Sequence, residues 1–201
     1  MKILSIFLTA LLTLLLTIFF GFAQSREAER LIYNPGKLKP TESTLKVKIG
    51  EAAPDFSLLS TSGKRILLNE YRGKKNIVIA FIPAAWTPVC SNQLPSYDSL
   101  QPLFEECDAV LLSITVDNIP TLSAWQKALG GLWFELLSDF WPHGAVADRY
   151  GVLREDGVAE RAIFVIDKKG IIRYIKVHDI NELPDTSIIA IELQKLKNKG
   201  K

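Results

Sequence analysis

The stretch 83-PAAWTPVCSNQL-94 carries Cys90, one of two cysteines in the chain. A cysteine attacks only as thiolate, and a free one holds little thiolate at neutral pH. The neighbours of Cys90 are suited to holding that negative charge. An apolar run precedes it and a helical pattern follows. A sulfur at such a junction meets unpaired N–H groups and the positive end of a helix dipole. Thr87, three residues upstream, can bring a hydroxyl to the sulfur. Pro83 and Pro88 stiffen the loop, and Pro83 can shield the sulfur from bulk water. Asn92 and Gln93 add polar groups without negative charge. A cation would complete the site. Arg161 is the candidate, because an arginine opening the apolar strand 161-RAIFVID-167 is costly to bury unless something anionic faces it. Trp86, Gln93 and Trp141 are the expected pocket residues.

These groups need a frame. The segment 55-DFSLL-59, the turn 61-TSGK-64 and 65-RILL-68 predict a β-hairpin. The run 76-NIVIAFIP-83 has the pattern of a strand buried on both faces. Apolar positions at Leu94, Tyr97, Leu100, Leu103 and Phe104 predict a helix over 94–108, with Pro95 in its first turn and a kink at Pro102. A strand over 109–117, a helix over 120–131 and a strand over 133–139 follow. The loop 140–160 holds a short helix near 145–151. Strands 161–167 and 170–177 form a closing hairpin, and a helix runs over about 184–197. This order predicts an α/β domain of thioredoxin-like fold, a central mixed β-sheet flanked by helices on both faces with an N-terminal β-hairpin.

Composition bounds what such a domain does. Of 201 residues, 48% are apolar and 23% charged, and the net charge of +2 gives no reason to expect nucleic acid as a partner. Residues 1–23 read as a signal peptide, with one lysine ahead of an uncharged run over 3–23 and a small-x-small site at 21-GFA-23. The alternative is an uncleaved membrane anchor through residues 3–23, since the run is long enough to span a bilayer. Either predicts an extracytoplasmic domain, secreted, periplasmic or anchored facing outward. Residues 24–46 read as a linker or extended arm and 47–201 as the domain.

The pattern Pro83-x-x-x-Thr87-x-x-Cys90 resembles the active-site motif of the peroxiredoxins, the alkyl hydroperoxide reductase and thiol-specific antioxidant family. The segment 161-RAIFVIDKKGIIR-173 is similar to the family's later strand with its arginine, 139-DFWPHGAVADRYGVLRE-155 to the loop before that strand, and 50-GEAAPDFSL-58 to the N-terminal hairpin. The likeness covers about Val47 to Lys197. It implies a thiol peroxidase in which Cys90 attacks a hydroperoxide and becomes sulfenic acid. Thr87 and Arg161 would bond the peroxide oxygens, and Pro83 would protect the thiolate. It implies no metal, haem, flavin or other cofactor. The partners would be a hydroperoxide and an external thiol, either a thioredoxin-like protein or a small thiol, and a homodimer is a family expectation. Gln93 departs from the glutamate that most members carry there, which points to altered tuning rather than lost activity.

Sulfenic acid is usually reduced through a disulfide with a resolving cysteine. The position five residues after Cys90 is Pro95, and no C-terminal Val-Cys-Pro is present. Cys107 remains as the possible resolving residue. If Cys90 opens a helix that Cys107 ends, the two are roughly 25 Å apart by helical rise, beyond disulfide reach. The plainer reading of Cys107 is a small, partly buried residue at a helix end. Trp125 and Trp133 read as core, His143 as a loop residue, Asp139 and Asp167 as turn caps, and Arg154 as a surface partner of Glu155 or Asp156 or a second active-site cation. Two other functions stay open, a membrane-tethered or periplasmic thioredoxin-like thiol–disulfide oxidoreductase and a non-catalytic binding module. The first lacks a Cys-x-x-Cys pair, since its second position is Gln93.

Overall fold

Seven strands hydrogen-bond into one sheet in the order β2-β1-β5-β4-β3-β6-β7 in the computed structural model, which describes residues 31–199. The expectation for residues 1–23 lies outside the described residues. Among the described residues no helix is long and apolar enough to cross a membrane.

The hairpin is β1 (Ser57–Ser60) with β2 (Arg65–Leu67), antiparallel. A 3-10 turn at Leu68–Tyr71 leads into β3 (Asn76–Phe81), every residue of which is buried. Strands β4 (Ala109–Thr115) and β5 (Glu135–Ser138) run parallel to it. Strands β6 (Ala162–Ile166) and β7 (Ile172–Val177) close the other edge antiparallel. The helices are α1 (Pro88–Asp98), α2 (Gln101–Glu106), α3 (Ile119–Ala128), α4 (Ala145–Tyr150) and α5 (Ser187–Lys199).

The two-residue side-chain period of β3 builds two cores. Ile77, Ile79 and Phe81 face a cluster with Phe164, Val146 and Tyr150, where α4 packs. Val78, Ala80 and Ile82 face Leu94, Tyr97, Phe104, Leu122, Trp125, Ile189 and Leu193, from the other four helices. Helices thus cover both faces of a mixed sheet, as the residue order predicts.

The helix expected over 94–108 is two helices. The first starts at Pro88, with Thr87 as N-cap in extended backbone and proline at the first helical position, where a missing N–H costs nothing. Pro95 therefore lies inside α1 rather than in its first turn. It cannot donate to the carbonyl of Ser91, and the helix ends at Asp98. Pro102 sits in the first turn of α2, so it starts a helix instead of kinking one.

Residues 31–46 form no regular element, yet they are an arm on the body rather than a spacer. The Leu38 N–H donates to Asn181 Oδ1 at 2.8 Å, and Asn181 Nδ2 donates to the Leu38 carbonyl at 2.9 Å. The Ile180 N–H donates to the Pro40 carbonyl at 3.1 Å, and the Lys46 N–H to the Tyr150 carbonyl at 3.3 Å. Arg154, expected at the surface, is 4% exposed and pairs with Glu42, Asp156 and Glu160. Burial of that charge is tolerable because three carboxylates surround it.

Candidate active site

Strand β3 ends at Phe81, and the loop 82–87 carries the chain from the sheet to Thr87. Two features fix its course. Trp86 has φ 60°, a left-handed conformation that costs an L-residue about 1–2 kcal/mol. The Ala85 N–H donates to Asp117 Oδ2 at 2.8 Å, and the Thr115 hydroxyl donates to the same carboxylate. Strand β4 thereby clamps the loop of its parallel neighbour. Asp117 is a positioning residue that the sequence alone did not single out.

Cys90 falls in the first turn of α1, fully buried. N–H groups there have no acceptor within the helix, and their dipoles point at an anion. Arg161, one residue ahead of β6, is 1% exposed. Antiparallel pairing of β3 with β6 sets Phe81 beside Ala162, which brings the start of β6 to the end of β3. The guanidinium then meets the sulfur, with Nη1 and Nη2 each 3.5 Å from Cys90 Sγ. Its other donors are held. Nε and Nη2 donate to the Ile180 carbonyl at 3.3 and 2.9 Å, and Nη1 also donates to Gln93 Oε1. Gln93 is fully buried, and its Nε2 donates to Tyr97 Oη at 2.6 Å. Burial pushes the Tyr97 hydroxyl up to about 12, offset by the Gln93 hydrogen bond and the nearby Arg161 charge, so it stays neutral. Gln93 and Tyr97, one turn apart, orient the arginine without neutralising it.

Thr87 Oγ1 donates to the Ala84 carbonyl at 3.0 Å. Its proton is committed, so its oxygen is free to accept. A cavity of about 840 Å³ opens above these groups. Pro83, Thr87 and Arg161 line its inner wall, and Tyr33, Pro35 and Leu38 of the arm line its outer wall. A molecule in this cavity meets Thr87 and Arg161, with Cys90 Sγ, itself fully buried, 3.5 Å from two of the guanidinium nitrogens. That arrangement suits a small polar group with one proton to give and a negative charge to develop.

Among the other expected pocket residues, Gln93 contacts the arginine. Trp86 is partly buried against the helix-side core and is not part of the cavity wall. Trp141 is 84% exposed and lies outside the cavity. The turn between β5 and α4 closes through Gly144 N–H to the Asp139 carbonyl and leaves the Phe140 and Trp141 side chains toward solvent. Asp139 caps α4, accepting from Val146 and Ala147 N–H at 2.9 Å each. Trp125 is a core residue, and Trp133 is partly buried against the same core. Both cysteines are free and buried. Cys107 ends α2, and its carbonyl accepts from Asn76 at the start of β3, whereas Cys90 lies past that strand's end. A six-residue strand of about 20 Å separates the two levels, more than a disulfide spans. Burial and the Glu106 charge push the Cys107 thiol up, so it is not a ready nucleophile.

Residues 49–175 match the model of the AhpC/TSA family. The chain is 41% identical over 140 residues to alkyl hydroperoxide reductase E of Mycobacterium tuberculosis, across 69% of this chain and 91% of that protein. It is 35% identical over 149 residues to peroxiredoxin-1 of Gallus gallus, across 69% of this chain and 73% of that one. Among solved structures it resembles the reduced 2-Cys peroxiredoxin of Plasmodium vivax, with a TM-score of 0.70 at 27% identity, covering 76% of this chain and 83% of that chain. AhpC of Mycobacterium tuberculosis shares the fold with a TM-score of 0.69 at 24% identity, covering 76% and 94%.

Proposed function

The chain belongs to the AhpC/TSA family and is a thiol-dependent peroxidase, in which we propose that Cys90 is the peroxidatic residue and the sole cysteine that turns over. The observation that carries this reading is the buried Arg161 guanidinium, with two nitrogens 3.5 Å from Cys90 Sγ and its remaining donors held elsewhere.

The reaction follows from those contacts. A hydroperoxide R–O–O–H enters the cavity and gives its proton to Thr87 Oγ1 as a hydrogen bond. The Cys90 thiolate attacks the terminal oxygen along the O–O axis. The S–O bond forms as the O–O bond breaks, and the electron pair leaves on the RO oxygen. The Arg161 N–H groups that faced the sulfur stabilise that charge as it develops. The alkoxide takes a proton from water, leaving ROH and Cys90 sulfenic acid. One thiol then condenses with the sulfenic acid, releasing water and forming a mixed disulfide. A second thiol displaces Cys90 as thiolate. The separation of Cys107 from Cys90 supports an external thiol, a thioredoxin-like protein or a small thiol, in both steps. The apolar run over 3–23 supports a site of action outside the cytoplasm.

The test is intact mass and peptide mapping of the full chain after one equivalent of hydrogen peroxide, with a sulfenic-acid trap. A single adduct on Cys90, lost in Cys90→Ser, is the expected result. A disulfide between the Cys90 and Cys107 peptides would overturn the one-cysteine cycle. An unreacted Cys90 would overturn its assignment.

A further inference from the structure

The arm lies N-terminal to the residues that match the family model, which begin at 49. It nevertheless supplies a wall of the active-site cavity. Tyr33, Asn34, Pro35, Gly36, Lys37 and Leu38 all line it. Anchors over Tyr33–Ser43 touch residues beside the reacting groups. The Tyr33 N–H donates to the carbonyl of Trp86, next to Thr87, at 2.7 Å. Leu38 and Pro40 are tied to Asn181 and Ile180, and the Ile180 carbonyl holds Arg161. Backbone N–H groups of Glu42 and Ser43 donate to Glu160 Oε1, beside Arg161, at 2.7 and 2.9 Å. Glu160 is fully buried, and its second oxygen accepts from Arg154 at 3.0 Å. The arm is thus pinned on both sides of the cavity, while Tyr33 stays 70% exposed on its outer side.

We propose that Tyr33–Leu38 is a strap across the mouth of the site that selects reactants by size. This rests on Cys90 being the reacting sulfur. Small hydroperoxides and small thiols pass beneath the strap. A protein thiol must place its own sulfur about 2 Å from Cys90 Sγ to form the mixed disulfide. The arm shares the cavity wall with Thr87 and Arg161, whose guanidinium contacts the buried Cys90 Sγ, so that approach needs the strap to lift. The strap therefore sets the ratio between reduction of the sulfenic acid by a protein thiol and by a small one. In both cases one thiol adds with loss of water and the second releases Cys90, so only access differs.

The test uses the full chain and two variants. Asn181→Ala removes both side-chain hydrogen bonds to Leu38, and Tyr33→Pro removes the N–H donated to Trp86. Tyr33→Pro alters no body residue, so it keeps the question open to test if Asn181→Ala fails to fold. Reduction of the Cys90 sulfenic acid is timed with thioredoxin and with dithiothreitol. Alkylation of Cys90 is timed with iodoacetamide and with a polyethylene-glycol maleimide. The large-to-small rate ratio should rise about tenfold or more in each folded variant, the factor expected when hydrogen bonds holding a closed state are lost. Ratios within about twofold of the parent chain would overturn the strap. Alkylation needs no peroxide, so it reports on the strap even if Cys90 proves not to form a sulfenic acid.

Discussion

At the scale of single residues, the site divides its labour among donors and acceptors with fixed partners. Arg161 has five N–H donors, three of them taken by the Ile180 carbonyl and Gln93, which leaves two on Cys90 Sγ. Lysine in its place would keep the charge and lose the fork. Arg161→Lys should slow sulfenic-acid formation by about 100-fold or more, the usual cost of a lost transition-state donor. Thr87→Val should fall by a similar factor, whereas Thr87→Ser should stay within about tenfold because the acceptor oxygen survives. Stopped-flow tryptophan fluorescence against peroxide concentration reads all three. Equal losses for Thr87→Val and Thr87→Ser would mean that the methyl group is needed as much as the oxygen. Gln93 repeats the pattern. Its amide can accept from Arg161 and donate to Tyr97 at once, a pairing a carboxylate could not make while leaving the arginine its full charge.

At the scale of elements, the chemistry depends on where chain segments begin and stop. Thr87-Pro88 starts α1 early enough to put Cys90 in its first turn. Pairing of β3 with β6 carries Arg161 to the same end of the sheet. The arm reaches that end by passing Gly151, which closes α4 with φ 74°. A Cβ there would stand 2.2 Å from the Lys46 backbone N and 2.3 Å from the Thr44 carbonyl oxygen. Neither backbone atom can give way cheaply, and the left-handed conformation adds its own cost. Gly151→Ala should destabilise the domain by about 3 kcal/mol or more, seen as a lower denaturant midpoint. A loss below about 0.5 kcal/mol would show that the arm does not pack against Gly151. Gly144 opens the same helix with φ 63°, but a Cβ there meets only the Leu153 side chain, which can move. Alanine at 144 should be the milder change of the two.

At the scale of the whole molecule, a half-buried histidine next to Arg161 ties stability to pH. His178 follows β7, and its N–H donates to the Arg161 carbonyl at 2.8 Å. Its Nε2 is buried without a hydrogen-bond partner. Burial, then the Lys176 and Arg161 charges, hold it below the ordinary histidine value of 6.5. Above that value both folded and unfolded chains carry neutral imidazole. Below it the unfolded chain takes a proton that the folded chain resists. Stability is therefore present above pH 6.5 and lost as pH falls toward the depressed folded value. Urea midpoints should decline between pH 7.5 and pH 5.5, and His178→Gln should flatten that decline. An unchanged slope in the variant would assign the loss to other groups.

What the sequence determined by itself was the local chemistry and most of the frame. Continuous apolar runs marked β3, β4 and β6, because strands buried on both faces must be apolar throughout. A threonine and two prolines around one cysteine marked the candidate nucleophile. An arginine opening an apolar strand marked the guanidinium that meets its sulfur, since such a charge needs a buried partner. Local pattern failed where two signals competed. Apolar spacing over 94–108 predicts one helix, while Thr87-Pro88 and Pro102 each supply a start signal, and packing realised both starts. Only the tertiary structure decided the remainder. Arg154 is two residues from Asp156 in sequence, but its burial comes from Glu42 and Glu160, which lie far apart in the chain. The arm's polar, proline-bearing sequence has no periodicity to read. Its position rests on hydrogen bonds to residues such as Trp86, Ile180 and Asn181, contacts that exist only once the sheet has brought those residues to one end.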